Sequence, residues 1–153
     1  MKHLLIVYHS KTGHTAELAK AAYEGACDPE IDDIEVRLKT APEADADDLR
    51  WANGLLLGTP ENFGYMSGMM KDFLDRTYYE VEGELQPLPY AIFISCENDG
   101  SGAVTAIQRI ANGYPFTQVH DPLIARGELT EAHLQAAREL GLLLAAGLEA
   151  GIF

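Results

Sequence analysis

The sequence predicts a doubly wound α/β domain, a three-layer sandwich built on a five-stranded parallel sheet in the order 2-1-3-4-5. Three observations carry this. Apolar runs of strand length alternate with stretches of helical period along the whole chain. The central runs, Leu4-Leu5-Ile6-Val7 and Leu55-Leu56-Leu57, are apolar at consecutive positions, as in strands covered on both faces. No repeat, low-complexity tract or long linker interrupts the pattern, and 153 residues suit one domain spanning 1–153.

The elements follow in order. Strands are expected at about 3–8, 34–38, 54–58, 90–95 and 117–120. Between the first two, Ala16, Ala19, Ala22, Tyr23 and Ala26 share one helical face. The segment from Pro42 to Ala52 is the weakest helix, short and acidic, with Leu49 and Trp51 as its large apolar anchors. Met66, Met69, Met70, Phe73, Leu74 and Thr77 form the next stripe, more core than ligand contact, and Val104, Ile107, Ile110 and Ala111 a third. The last helix starts near Thr130, a suitable N-cap, and runs through Leu134, Ala137, Gly141, Leu144 and Leu148. In the predicted order the chain reverses direction between strands one and three. The ligand crevice then lies at their carboxyl ends, where the loops 9–15, 59–65 and 96–102 converge.

Charge and composition narrow the function. The formal net charge is −13, and the stretch Asp28–Asp48 holds nine carboxylates against Arg37 and Lys39, which weighs against a nucleic-acid partner. That acidity serves solubility first, with the docking of a basic protein as the sharper alternative. No run approaches the roughly 18 apolar residues of a membrane span, and the N-terminus lacks the pattern of a cleavable signal. A cytoplasmic location is expected. Cys27 and Cys96 stand alone, and the five histidines are scattered, so neither a disulfide framework nor a metal site is expected.

Three loops carry the chemistry. Ser10-Lys11-Thr12-Gly13-His14-Thr15 empties from a strand into a helix, and its hydroxyls and free N–H groups suit a phosphate. It is neither a GxxxxGK[ST] nor a GxGxxG sequence, and no acidic cluster follows strand one as a phospho-accepting receiver would need. An ordinary helix cap by Thr12 or Thr15 is the plainer alternative. The net negative charge does not forbid an anion. Screening acts over about 8 Å at physiological salt, whereas each charge-assisted hydrogen bond contributes roughly 1.5–3 kcal/mol.

The second loop, Gly58-Thr59-Pro60-Glu61-Asn62-Phe63-Gly64-Tyr65, is stiffened by Pro60 and given a turn by Gly64. Its backbone groups suit the polar edge of a flat heterocycle, with Phe63 or Tyr65 against the face; simple packing of those two rings is the alternative. The third, Ser95-Cys96-Glu97-Asn98-Asp99-Gly100-Ser101-Gly102, offers polar acceptors and two glycines but reads equally as a plain surface loop.

With these residues in view, the chain resembles the flavodoxin-like family. It is most similar to the branch of NAD(P)H-dependent FMN quinone reductases related to the tryptophan-repressor-binding-protein group. The likeness spans nearly the whole chain and is strongest in Ile6–Thr15, in Gly58-Thr59-Pro60 with Phe63–Gly68, and in Lys71–Arg76. It implies FMN as cofactor and NAD(P)H as reductant. Ser10, Thr12, Gly13, His14 and Thr15 would hold the phosphate, Pro60 through Gly64 would line the isoalloxazine ring, and the third loop would meet its far side.

Two departures matter. Glu97-Asn98-Asp99 is more acidic than the Gly-rich stretch usual in that branch and is closer to small flavodoxins, yet residues 96–102 lack the aromatic that flavodoxins stack on the ring. The resemblance thus implies an oxidoreductase passing electrons from NAD(P)H to a quinone or similar acceptor. A small acidic electron carrier with a redox protein partner is the alternative. No side chain is assigned as a general acid, and a homo-oligomer is left open.

Overall fold

A computed structural model describes residues 1–153. Its elements in chain order are β1 (Lys2–Tyr8), α1 (His14–Ala26), β2 (Ile34–Thr40), α2 (Ala46–Trp51), β3 (Gly54–Asn62), β4 (Tyr65–Met66), α3 (Gly68–Val81), β5 (Leu88–Cys96), α4 (Ser101–Gly113), β6 (Phe116–Gln118), β7 (Leu123–Arg126) and α5 (Glu131–Glu149). The main sheet runs β2-β1-β3-β5-β6, all parallel. This is the predicted spatial order once the two additional short strands are counted.

The consecutive apolar residues of β1 and β3 bury both faces of the sheet. Leu5, Val7, Leu55 and Leu57 join α2, α3 and α4 in one core, and Leu4, Ile6 and Leu56 join α1 and α5 in the other. On α1 the buried set is Thr15, Leu18, Ala19, Ala21, Ala22 and Ala26, so Leu18 joins the expected stripe as its large buried side chain, while Ala16 and Tyr23 are only half-buried. Thr130 caps α5 as expected, its hydroxyl accepting from His133 N at 3.2 Å.

Three local differences from the expected elements have identifiable causes. The fifth strand, expected at about 117–120, is two strands: β6 pairs with Leu88–Tyr90 and β7 with Phe93–Cys96. Pro122 lies between them and has no N–H to offer a ladder, which a sheet edge tolerates. Met66 lies in β4 rather than on a helix, and Met69 points outward, so the core stripe of α3 is Met70, Phe73, Leu74, Thr77 and Val81.

The acidic segment before β3 does form a helix, because Asp45 and Asp48 make a reciprocal capping box. Asp48 is itself buried, with Arg37 at 3.1 Å and Lys39 at 2.9 Å. Part of the acidic run is therefore structural rather than a solvated face. Burial alone would push the Asp48 carboxyl up; the Lys39 ammonium, the Asp45 N–H and the Arg37 guanidinium outweigh it and hold it below the usual range. Trp51 finishes the helix, stacked on His3 at 4.3 Å and lying under the Arg37 guanidinium at 3.9 Å. No helix is long and apolar enough to cross a membrane.

Candidate functional site

The sheet changes winding direction at β1 and β3, and the three candidate loops stand at the carboxyl ends of β1, β3 and β5. His9 N donates to Gly58 O at 3.0 Å, locking the start of the first loop to the start of the second.

The first loop wraps around one hydroxyl. Ser10 Oγ accepts from Gly13 N at 3.2 Å and from Ala16 N at 3.1 Å, which leaves its own O–H proton free to be donated. Ser10 thus performs the capping that had been open to Thr12 or Thr15. Gly13 sits at φ 108°, a left-handed backbone that turns the loop into α1, so an alanine there is strained although space is available. The N–H groups of Lys11, Thr12, His14 and Thr15 have no acceptor in the protein. They add to the positive end of a 13-residue helix. Four N–H donors, the Ser10 proton and the exposed Thr12 hydroxyl form a donor set that fits a phosphate. Thr15 differs: its side chain is buried and its Oγ1 lies 2.7 Å from Ser95 Oγ, so the hydroxyl braces α1 against β5 and only its N–H faces outward.

The second loop is a tight hairpin. β3 continues to Asn62 and pairs antiparallel with β4, Glu61 opposite Met66 and Asn62 opposite Tyr65. Phe63 and Gly64 make the two-residue turn with φ of 52° and 71°. Positive φ at both positions is the type I′ arrangement that suits strand twist. Phe63 is an uncommon occupant, since an aromatic side chain is strained there, and its ring is fully exposed at the tip. Thr59 is buried beneath, its Oγ1 accepting from Ser67 N at 2.9 Å, and Pro60 stays in register with Ser95.

The third loop is tied to the second. Glu61 Oε2 accepts from Gly102 N at 3.0 Å and Ala103 N at 3.2 Å, capping α4 from the adjacent hairpin. Gly102 also packs flat on the hairpin: a Cβ there would stand 2.0 Å from Gly64 O. Asp99 Oδ1 accepts from the Ser101 N–H at 3.0 Å and hydroxyl at 2.8 Å, and these bonds hold its carboxyl below the usual range. Glu97 and Asn98 are exposed, and Gly100 turns the chain into α4 at φ 75°. Burial, reinforced by the Glu61 and Asp99 carboxylates against the pull of Arg126, raises the Cys96 thiol. Cys96 therefore stays protonated at neutral pH and acts as packing.

Loops two and three thus form one rigid wall, and loop one faces them across the ends of the strands. No hydrogen bond joins Ser10–His14 directly to Glu97–Gly100. Ser95, Gly102 and His9 lay within the loops read from sequence but were given no contact of their own there. Ser95 was visible as a hydroxyl closing an apolar strand, whereas His9, whose Nδ1 is buried without a partner and whose pKa burial lowers, gave no such signal. No three His, Cys, Asp or Glu side chains are grouped to hold a metal.

Known proteins share this frame. The family model described as NADPH-dependent FMN reductase matches residues 5–126. A flavodoxin from Aquifex aeolicus is 31% identical over 161 aligned positions, covering 95% of this chain and 86% of that one. A NAD(P)H dehydrogenase (quinone) from Acidithiobacillus ferrooxidans is 33% identical over 126 positions, covering 70% of this chain but only 63% of its own length. Among solved structures, a flavodoxin from the domain Archaea superposes with a TM-score of 0.80 at 22% identity, covering 96% of this chain and 99% of that one. The chain has a flavodoxin-like fold and belongs to the NADPH-dependent FMN reductase family.

Proposed function

We propose that this protein is an FMN-dependent oxidoreductase that takes hydride from NAD(P)H and passes electrons to a quinone or similar small acceptor. The observation that carries the reading is the donor set of the first loop, four unpaired backbone N–H groups and two free hydroxyls opposite a rigid aromatic-tipped hairpin. FMN supplies the redox chemistry. The protein's part is to bind and orient it.

The N–H groups of Lys11, Thr12, His14 and Thr15, with the Ser10 and Thr12 hydroxyls, hold the phosphate. Thr59 and Pro60 set the base of the hairpin, and Asn62, Phe63, Gly64 and the backbone of Glu61, whose carboxylate is held by α4, line the ring. Cys96, Glu97, Asn98, Asp99 and Gly100 border its far side. Because residues 96–102 contain no aromatic, nothing in that loop stacks over the ring, and one face is open to a small reductant and acceptor in turn.

A protein-to-protein electron carrier is the second reading. It is favoured by the net charge of −13 and by the flavodoxin relative that aligns with 95% of the chain.

The test is direct. The protein mixed with FMN and desalted is expected to be yellow, to bleach rapidly in two-electron fashion with NADH or NADPH, and to regain colour with benzoquinone. Bleaching only through a partner reductase would establish the carrier reading, and failure to retain FMN would remove both.

A further inference from the structure

Beside the hairpin, a shallow groove of about 320 Å³ runs between Gly64-Tyr65 and the outer face of α4. Ser101, Thr105 and Arg109 recur at every fourth position and so line one stripe of that helix. From Ser101 to Arg109 the stripe extends about 12 Å at 1.5 Å per residue. Its near end starts at Gly64, in the loop that lines the ring. The groove therefore leads outward from the redox centre.

Its chemistry is unusual for so acidic a chain. Arg37, Arg50, Arg76 and Arg138 each have a carboxylate within 4.0 Å, whereas Arg109 and Arg126 have none and are exposed, and of these two only Arg109 lines the groove. The Ser101 hydroxyl is committed to Asp99, and the Glu61 carboxylate to the first N–H groups of α4. The Thr105 hydroxyl has no partner in the protein, and the Tyr65 ring stands half-exposed on the opposite wall. An aromatic face, a free hydroxyl and an unpaired guanidinium together suit a phosphorylated ribose and its base.

We propose that this groove receives the phosphate-bearing end of the nicotinamide dinucleotide, with Arg109 pairing a phosphate, Thr105 donating beside it and Tyr65 flanking the ribose or adenine. The proposal rests on the reading of NAD(P)H as reductant. It adds where the reductant's anionic half lies and which residue selects it.

The test is calorimetric titration of the protein, with FMN added, by two probes: ADP-ribose and 2′-phospho-ADP-ribose. Wild type is expected to bind, Arg109→Gln to bind about tenfold to a hundredfold more weakly, the loss expected for a charge-assisted hydrogen bond. Arg109→Lys is expected to restore part of the affinity, because it keeps the charge but not the planar fork. An equal loss for both probes assigns the pyrophosphate to Arg109, and a loss confined to the second assigns the 2′-phosphate. Failure of wild type to bind either probe, or unchanged binding by Arg109→Gln, overturns the proposal. Bleaching of the flavin by NAD(P)H, followed in parallel, reports separately on the functional reading, so the two can fail independently.

Discussion

Replacing Phe63 with asparagine separates stability from function at one position. The residue occupies the left-handed region at φ 52° and its ring is fully exposed, so the fold bears the strain without any compensating burial. A non-glycine side chain in that region costs roughly 1–2 kcal/mol, and asparagine followed by glycine is the preferred pair for a type I′ turn. Phe63→Asn is thus expected to stabilise the FMN-free protein by about 1 kcal/mol. For a domain of this length that raises Tm by about 2–4 °C. The same change removes an aromatic from the loop proposed to line the ring, and an aromatic pair contributes about 0.5–1.5 kcal/mol beyond area burial, so FMN affinity should fall about twofold to tenfold. Thermal scans of FMN-free protein and titration of FMN by flavin fluorescence measure the two effects. An FMN-free variant no more stable than wild type would refute the strain argument. Unchanged FMN affinity would refute the placement of Phe63 against the ring.

Three further perturbations probe the braces of the site. Thr15→Val strands the buried Ser95 hydroxyl at a cost of about 1–3 kcal/mol, and adding Ser95→Ala should recover part of it; a double-mutant cycle in urea with zero coupling would dissolve the brace. Thr12→Ala, in contrast, should weaken FMN while leaving riboflavin binding nearly intact, a selectivity that fluorescence titration reads. Glu61→Ala removes the carboxylate cap of α4 and should lower stability by about 1–2 kcal/mol by urea midpoint, with Glu61→Gln intermediate.

Asp48→Asn should cost about 1–3 kcal/mol at neutral pH, less than a fully buried pair because Arg37 and Lys39 are each more than a third exposed. The Asp48 carboxyl is held below its ordinary 3.8, so its contribution is present above that value and fades as pH falls through the lower folded value. The stability gap between wild type and variant should therefore be constant from about pH 6 to 8 and close below pH 3.8. A gap that persisted into acid would contradict the ion pairing.

The elements most legible in sequence were those whose physics is local. Leu4–Val7 and Leu55–Leu57 could only be buried on both sides, Thr130 announced its helix, and Gly13 among hydroxyls marked the first loop. The hairpin at Phe63-Gly64 was less legible, because a phenylalanine at positive φ contradicts the usual turn chemistry. The division of the fifth strand turned on Pro122 at an edge whose pairing partners lie far away in sequence.

What the sequence determined by itself was the alternation of strands and helices, the winding order they allow, and a donor-rich turn after the first strand, because propensity and period act between neighbours. Tertiary structure alone decided which hydroxyl stays free of a partner in the protein. Thr12 and Thr15 look alike in the chain, but Ser95, 80 residues away from Thr15, takes the second hydroxyl into the core. Likewise Glu61 reads as a ring-lining loop residue until α4 folds against it and claims its carboxylate. A hydrogen bond between residues distant in sequence leaves no periodic trace, since its geometry exists only once the sheet has brought the strand ends together.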